Sequence, residues 1–156
     1  LLGLEKIIWL KGLKDKDITD AHTDFYARFT KEDEILVAYE PYKDSYEHQL
    51  TLENIEILKN ASDLNGKKFK IIVLENPQEV NKKFGIEDFA AGYIGYYLCN
   101  NAVIMQGFGD ESADNEDKKI LQKAYPNRVI EQLRIDGIAS GGGTIHCATQ
   151  QEPVDL

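Results

Sequence analysis

Two blocks of the chain concentrate side chains able to do chemistry. In Asp17-Ile-Thr-Asp-Ala-His-Thr-Asp24, His22 and Asp24 stand two residues apart, so in an extended segment both side chains point the same way. In Gly141-Gly-Gly-Thr-Ile-His-Cys147, consecutive glycines allow φ > 0 and a close backbone approach to a ligand just before a cysteine. A cysteine attacks as its thiolate, whose unperturbed pKa is about 8.5, and it needs a proton-transferring partner such as His within hydrogen-bond reach. Cys147 as nucleophile and His22 as its partner form a candidate pair, with Asp24 either orienting His22 or binding a cationic substrate directly. Each block also has an ordinary reading. A cysteine near a chain end is often a small buried hydrophobe, and a His-x-Asp pair is often a solvated surface pair.

The remaining reactive residues read as structural. Cys99, in Tyr96-Tyr-Leu-Cys99 on an expected strand, reads as a packing residue, and His48 as an inert residue on the solvated side of a helix. His146 adjoins Cys147, so on a strand it would face away from the nucleophile. A metal site from Asp17, His22, Asp24 and Cys147 lacks any compact ligand spacing such as His-x-x-x-His or Cys-x-x-Cys. The glycine run is not a phosphate loop, because no Gly-Lys-Ser/Thr follows it.

Composition narrows the partners. The 156 residues carry 18 Lys plus Arg against 27 Asp plus Glu, a net charge of −9. That balance disfavours nucleic acid, whose binding draws on clustered basic residues, and favours cationic ligands. A 42% hydrophobic fraction with 29% charged residues belongs to a globular domain of ordinary size. Apolar runs such as Ile71 to Leu74 are far shorter than the roughly 20 residues of a membrane helix, so no membrane role is expected. Two cysteines are too few for a disulfide scaffold, which points to a reducing, cytoplasmic setting. Position 1 is not Met and the chain opens almost directly into an apolar segment, so an excised or partial chain is expected.

The elements that must position these residues follow from periodicity. Ile7 to Leu10 reads as a buried strand, Lys11 to Ala21 as a polar loop, and Phe25 to Thr30 with Ile35 to Glu40 as a hairpin about Lys31-Glu-Asp-Glu34. Ser45 to Ala61 reads as an amphipathic helix with Leu50, Leu52, Ile55, Ile57, Leu58 and Ala61 on its apolar face, and Phe69 to Leu74 as the next strand. The order then repeats. Tyr93 to Cys99 and Ala102 to Gln106 form a second hairpin about Asn100-Asn101, Ala113 to Tyr125 a second helix, and Val129 to Ile135 a second strand. Gly137 to Thr144 is a glycine-rich loop. An α/β fold of two ββαβ units is expected, with further units missing, since two repeats rarely close a ring.

Asp17-Ile-Thr-Asp-Ala-His-Thr-Asp24, Ala27-Arg-Phe29, Phe108-Gly-Asp110 and the terminal Gly141-Gly-Gly-Thr-Ile-His-Cys-Ala-Thr-Gln-Gln-Glu-Pro153 together resemble the C-terminal half of the agmatine deiminases. The resemblance runs over nearly the whole chain. Ile18, Ala21, Thr144 and Glu152 depart from the family's usual Asp, Gly, Asn and Gln. It implies a pentein-type five-bladed α/β propeller of which residues 1–156 supply about two units, the C-terminal part of one catalytic domain. It implies hydrolysis of agmatine to N-carbamoylputrescine and ammonia, a step of polyamine (putrescine) biosynthesis, through a cysteine thiouronium intermediate and with no metal or organic cofactor. Cys147 is then the nucleophile, His22 the general acid/base, Asp24 a guanidinium carboxylate, and Gly142 and Gly143 lie against substrate. Further carboxylates would come from the absent N-terminal part of the domain, which is the first partner expected; a homo-oligomer is a second. The alternatives are a peptidylarginine deiminase, or another guanidino-modifying enzyme of this fold, and a non-catalytic relative that captures cations on its acidic surface.

Overall fold

The computed structural model describes residues 3–81, 83 and 89–153. Each expected unit is present as a mixed three-stranded sheet with a helix in its crossover. The first opens with a helical turn, α1 (Thr23–Tyr26), that runs straight into β1 (Ala27–Lys31). β2 (Glu34–Tyr39) pairs antiparallel with β1, the chain crosses through α2 (Tyr46–Asn60), and β3 (Lys70–Glu75) returns parallel to β2. The second unit repeats the pattern with β4 (Tyr97–Leu98), β5 (Ala102–Gly107), α3 (Glu111–Ala124) and β6 (Val129–Arg134). A short helix α4 (Asp136–Ala139) and a 3-10 turn (His146–Ala148) complete it.

Local chemistry explains these boundaries. Ser45 and Asp110 cap α2 and α3, their side chains accepting the backbone N–H of Glu47 at 3.2 Å and of Ala113 at 3.1 Å. Asp110 also accepts from Gln78 and Glu79, so one carboxylate starts α3 and holds the loop that follows β3. The central strand β2 is buried along most of its length and reads as a continuous apolar run, as expected where both faces are covered. The buried face of α2 is Leu50, Thr51, Asn54, Ile55 and Leu58, whereas Leu52 is exposed.

Three expectations need correction. Ile7 to Leu10 is not a strand. The next residue, Lys11, donates its N–H to Asn54 Oδ1 at 2.8 Å and accepts from Asn54 Nδ2 at 3.1 Å. A side-chain amide thus does there what a neighbouring strand would do. The first hairpin turns on Glu32-Asp33 rather than four residues, because Lys31 and Glu34 are already paired. The strand expected from Tyr93 is reduced to Tyr97–Leu98. Tyr93 to Gly95 bends instead, fully buried at Tyr93 and Ile94, and its carbonyls find partners outside any ladder.

Two core clusters result. Ile35, Val37, Ile55 and Leu58 lie between the first sheet and α2, and a larger cluster around Tyr93, Tyr96, Met105, Phe108 and Leu121 extends across to Leu36 and Leu74 of the first sheet. Arg28 ties the units together: its guanidinium lies 4.2 Å from the centre of the Tyr96 ring and donates to the carbonyls of Ile94 and Tyr96. Asp117 of α3 is the second tie, accepting the backbone N–H of Glu75, while its Oδ2 is buried without a partner.

Burial is the main cause that pushes Asp117 up to about 8, with the charges of Glu75, Glu116 and Asp114 adding to it. An acid whose folded pKa is raised stabilises the fold most below its unfolded pKa and loses that contribution as pH rises through the folded value. Stability should therefore fall between roughly pH 4 and pH 8, and Asp117→Asn should flatten the decline. Thermal melts at pH 5 and pH 8 should show the variant gaining at least about 1 kcal/mol on the wild type across that interval; an unchanged difference would refute titration of Asp117 there.

Candidate active site

The loop before α1 is organised by one carboxylate. Asp17 accepts from the Thr19 N–H at 2.6 Å, the Thr19 hydroxyl at 2.5 Å and the Ala21 N–H at 3.1 Å, and Thr19 Oγ1 in turn accepts the His22 N–H at 3.1 Å. Burial raises the Asp17 carboxyl, but these bonds and the nearby His22 pull it down further, so it sits below its ordinary range. The chain turns through Asp20 and Ala21 at φ 53° and 74°. For alanine that left-handed geometry costs on the order of 1–3 kcal/mol, and glycine would adopt it freely. Gly12 lies against the same bend, where a Cβ would come within 2.8 Å of Ala21 Cβ.

The bend delivers His22 to the N-cap of α1, where its imidazole makes no capping bond, and Asp24 to the first turn. The two residues are thus not on an extended segment, as their spacing suggested, but on either side of a helix start. At the other end of the chain, α4 occupies the first part of the expected glycine-rich loop and Gly142 follows at φ 77°. Thr144, buried to 2% exposure, sets its hydroxyl 3.3 Å from Cys147 Sγ. The His146 N–H donates to the Gly95 carbonyl at 2.9 Å. Cys147 is exposed.

These two ends meet in one cavity of about 410 Å³. Cys147, His22, Asp24 and Gly142 all line it, and Gly143 does not. Its walls are acidic and aromatic: Asp17, Glu40 and Glu47 share it with Tyr26, Tyr42 and Tyr46. Glu40 is held by the Tyr42 N–H at 2.8 Å and Asn76 Nδ2 at 3.2 Å. Glu47 accepts from Tyr26 Oη at 3.3 Å. Burial, then the charges of Glu40 and Asp17, push its carboxyl up to about 7. Nothing in the spacing of Glu40 and Glu47 singled them out; the amphipathic helix start beside a strand end was their only signal.

The other histidines also differ from expectation. His48 is half-buried rather than on a solvated face, its Nδ1 2.7 Å from the Glu40 carbonyl and its ring against Tyr39. His146 does not face away from the site. The 3-10 turn replaces the expected strand and brings its Nδ1 within 2.6 Å of Asp24 Oδ2. Cys99 is half-buried, with its thiol 3.4 Å from the Ala102 carbonyl. Among the described residues no group of three or more His, Cys, Asp or Glu is placed to hold a metal ion, and no helix is long and apolar enough to cross a membrane.

Comparison with known proteins agrees with the terminal motifs. Residues 1–153 match the sequence pattern of the Porphyromonas-type peptidyl-arginine deiminases. The chain belongs to that family. The agmatine deiminase of Medicago truncatula is 31% identical over 172 residues, covering 97% of this chain and 46% of its own length. The structure of Enterococcus faecalis agmatine deiminase matches with a TM-score of 0.86 at 26% identity, over 97% of this chain and 46% of that one. A serine-for-cysteine variant of C. jejuni agmatine deiminase with substrate bound matches with a TM-score of 0.79 at 28% identity, over 95% and 42%. The chain thus spans less than half the length of these relatives.

Two outcomes follow from the site. A Cβ at Gly95 would fall 2.2 Å from Thr144 Oγ1, so Gly95→Ala should destabilise by about 1–3 kcal/mol and change the alkylation rate of Cys147. Gly137→Ala, with nothing within 4 Å, should stay within about 0.5 kcal/mol; equal melts for the two variants would contradict this packing. The second concerns charge. Because burial pushes the Glu47 carboxyl up to about 7, the cavity's affinity for a cationic ligand such as free guanidinium should strengthen from pH 6 to pH 8. Titration calorimetry on Cys147→Ser should show that rise, and Glu47→Gln should remove it.

Proposed function

We propose that this chain is the nucleophile-bearing half of an agmatine deiminase, converting agmatine and water to N-carbamoylputrescine and ammonia. The observation that carries the reading is the meeting of Cys147 with His22 and Asp24 in one cavity, from blocks more than 120 residues apart. A protonated guanidinium is delocalised and its carbon is a poor electrophile until carboxylates fix the nitrogens and take up its charge. Asp24 is one such carboxylate, and Gly142, with Gly143 behind it, lets backbone pass beside the substrate.

In this scheme the Cys147 thiolate adds to the guanidinium carbon. The tetrahedral centre collapses as a C–N bond breaks, and His22 protonates the departing ammonia. The S-alkylthiouronium left on Cys147 is attacked by a water that His22 deprotonates, and cleavage of the C–S bond returns the thiol. The remainder of the domain supplies the other blades of a five-bladed propeller and the further carboxylates of the guanidinium site. The setting is a reducing, cytoplasmic one in which Cys147 stays a thiol.

A peptidyl-arginine substrate is the second reading, favoured by the description of the matching family. The acidic walls argue for agmatine. Its far end is an ammonium, which Asp17, Glu40 and Glu47 suit, whereas a peptidyl arginine presents neutral amides there.

Ammonia release by the full-length enzyme, measured with agmatine and with an arginine-containing peptide, tests the choice. Agmatine alone should be turned over. Cys147→Ser should abolish turnover with the fold intact, and Cys99→Ser should retain it. Asp24→Asn should lose about 1.5–3 kcal/mol of transition-state stabilisation, roughly 10- to 150-fold in kcat/KM, with little change in Tm. Unchanged kinetics in Asp24→Asn would rule out its contact with the guanidinium.

A further inference from the structure

We propose that His146 is a positioning residue for Asp24, holding one carboxylate oxygen so that the other is presented to a guanidinium; the inference rests on the functional reading above. The geometry is direct. His146 Nδ1 lies 2.6 Å from Asp24 Oδ2, within charge-assisted hydrogen-bond distance, and the two side chains are 32% and 26% exposed. An ionised carboxylate only accepts, so the contact places the proton on Nδ1 of the imidazole. Asp24 has four lone-pair sites on two oxygens, and a carboxylate free to rotate would meet a planar guanidinium in many orientations. With Oδ2 engaged by a ring, that rotation is lost.

The ring is itself fixed. The His146 N–H is bonded to the Gly95 carbonyl at 2.9 Å, and the Thr149 N–H and hydroxyl both reach back to the His146 carbonyl. The buried Thr144 that stands beside Cys147 Sγ belongs to the same segment. One turn therefore sets both the attacking sulfur and, through His146, the Asp24 carboxylate that lines the same cavity. His146 itself is not among the residues lining the cavity, so its effect reaches substrate only through Asp24.

The test uses the full-length enzyme. His146→Ala should lower kcat/KM for agmatine by about ten- to a hundredfold, the range for loss of a hydrogen bond to a charged group. His146→Asn, whose Nδ2 falls close to where Nδ1 stood, should recover all but about threefold of it. In an Asp24→Asn background, His146→Ala should cost less than about twofold more, because the residue acts through Asp24. Equal losses in the Ala and Asn variants, or losses that multiply in the double variant, would overturn the proposal. A substrate-free readout separates it from the function itself. In 15N spectra His146 should show the proton on Nδ1, and Asp24→Asn should shift that resonance while leaving His48 unmoved. Should the wild type fail to release ammonia from agmatine, the function falls and this spectrum alone decides the contact: a His146 resonance indifferent to Asp24→Asn would refute it.

Discussion

Three consecutive carbonyls, those of Ile94, Gly95 and Tyr96, join the two parts of the candidate site that lie in this chain. Each belongs to backbone too deeply placed to be hydrated, where an unsatisfied polar group costs a few kcal/mol. Arg28, on the strand that follows α1, takes two of them, and the His146 N–H takes the third. The first unit carries His22 and Asp24, and the terminal turn carries Cys147. The bend just before β4 is therefore the fixed point to which both parts of the candidate site are fastened. Its buried tyrosines keep it rigid: Tyr93 donates to Asp114 at 2.7 Å, and the Tyr96 and Tyr125 hydroxyls are 2.7 Å apart.

The acidic cavity is costly in the absence of a cation. Asp17 is kept ionised by three donors and Glu40 is held by two, whereas the bonds Glu47 receives from the Tyr26 and Tyr46 side chains do not offset its burial, and its pKa is raised. The same arrangement suits a cationic ligand entering from water, since Asp17 and Glu40 are already oriented by backbone and amide donors. Preorganised groups of this kind lose little freedom on binding, which is where affinity for a small flexible substrate is gained.

How far the sequence was legible depended on which forces set each element. β2, α2, β3, β5, α3 and β6 lie within a residue or two of their expected bounds because hydrophobic period and caps dominate there. The misread segments are those whose backbone partners are side chains distant in sequence. Leu10-Lys11 runs beside the amide of Asn54, and Tyr93 to Tyr96 is bent by Arg28 and His146; neither relation leaves a local signal. Within the site, Cys147, His22 and Asp24 stood out by type and spacing, and the terminal motif carried them further. His146 faces away from Cys147 only on a strand, where side chains alternate, and a 3-10 turn has no such alternation.

Under the proposed function, that turn bears on how Cys147 and Asp24 are kept in register. On a strand, His146 and Cys147 would serve opposite faces, and any adjustment of one would leave the other's environment alone. In a tight turn they are adjacent corners of one rigid piece, anchored behind by Gly95 and Thr144. A displacement of the turn then moves the sulfur and the His146 ring together, and the Asp24 carboxylate feels it through one hydrogen bond. The proposed reaction needs a thiolate aimed at the centre of a guanidinium whose nitrogens are gripped elsewhere, and is sensitive to errors of about 1 Å in their relative placement. The separation of Cys147 from Asp24 therefore depends on the His146 contact as well as on the packing between the two units.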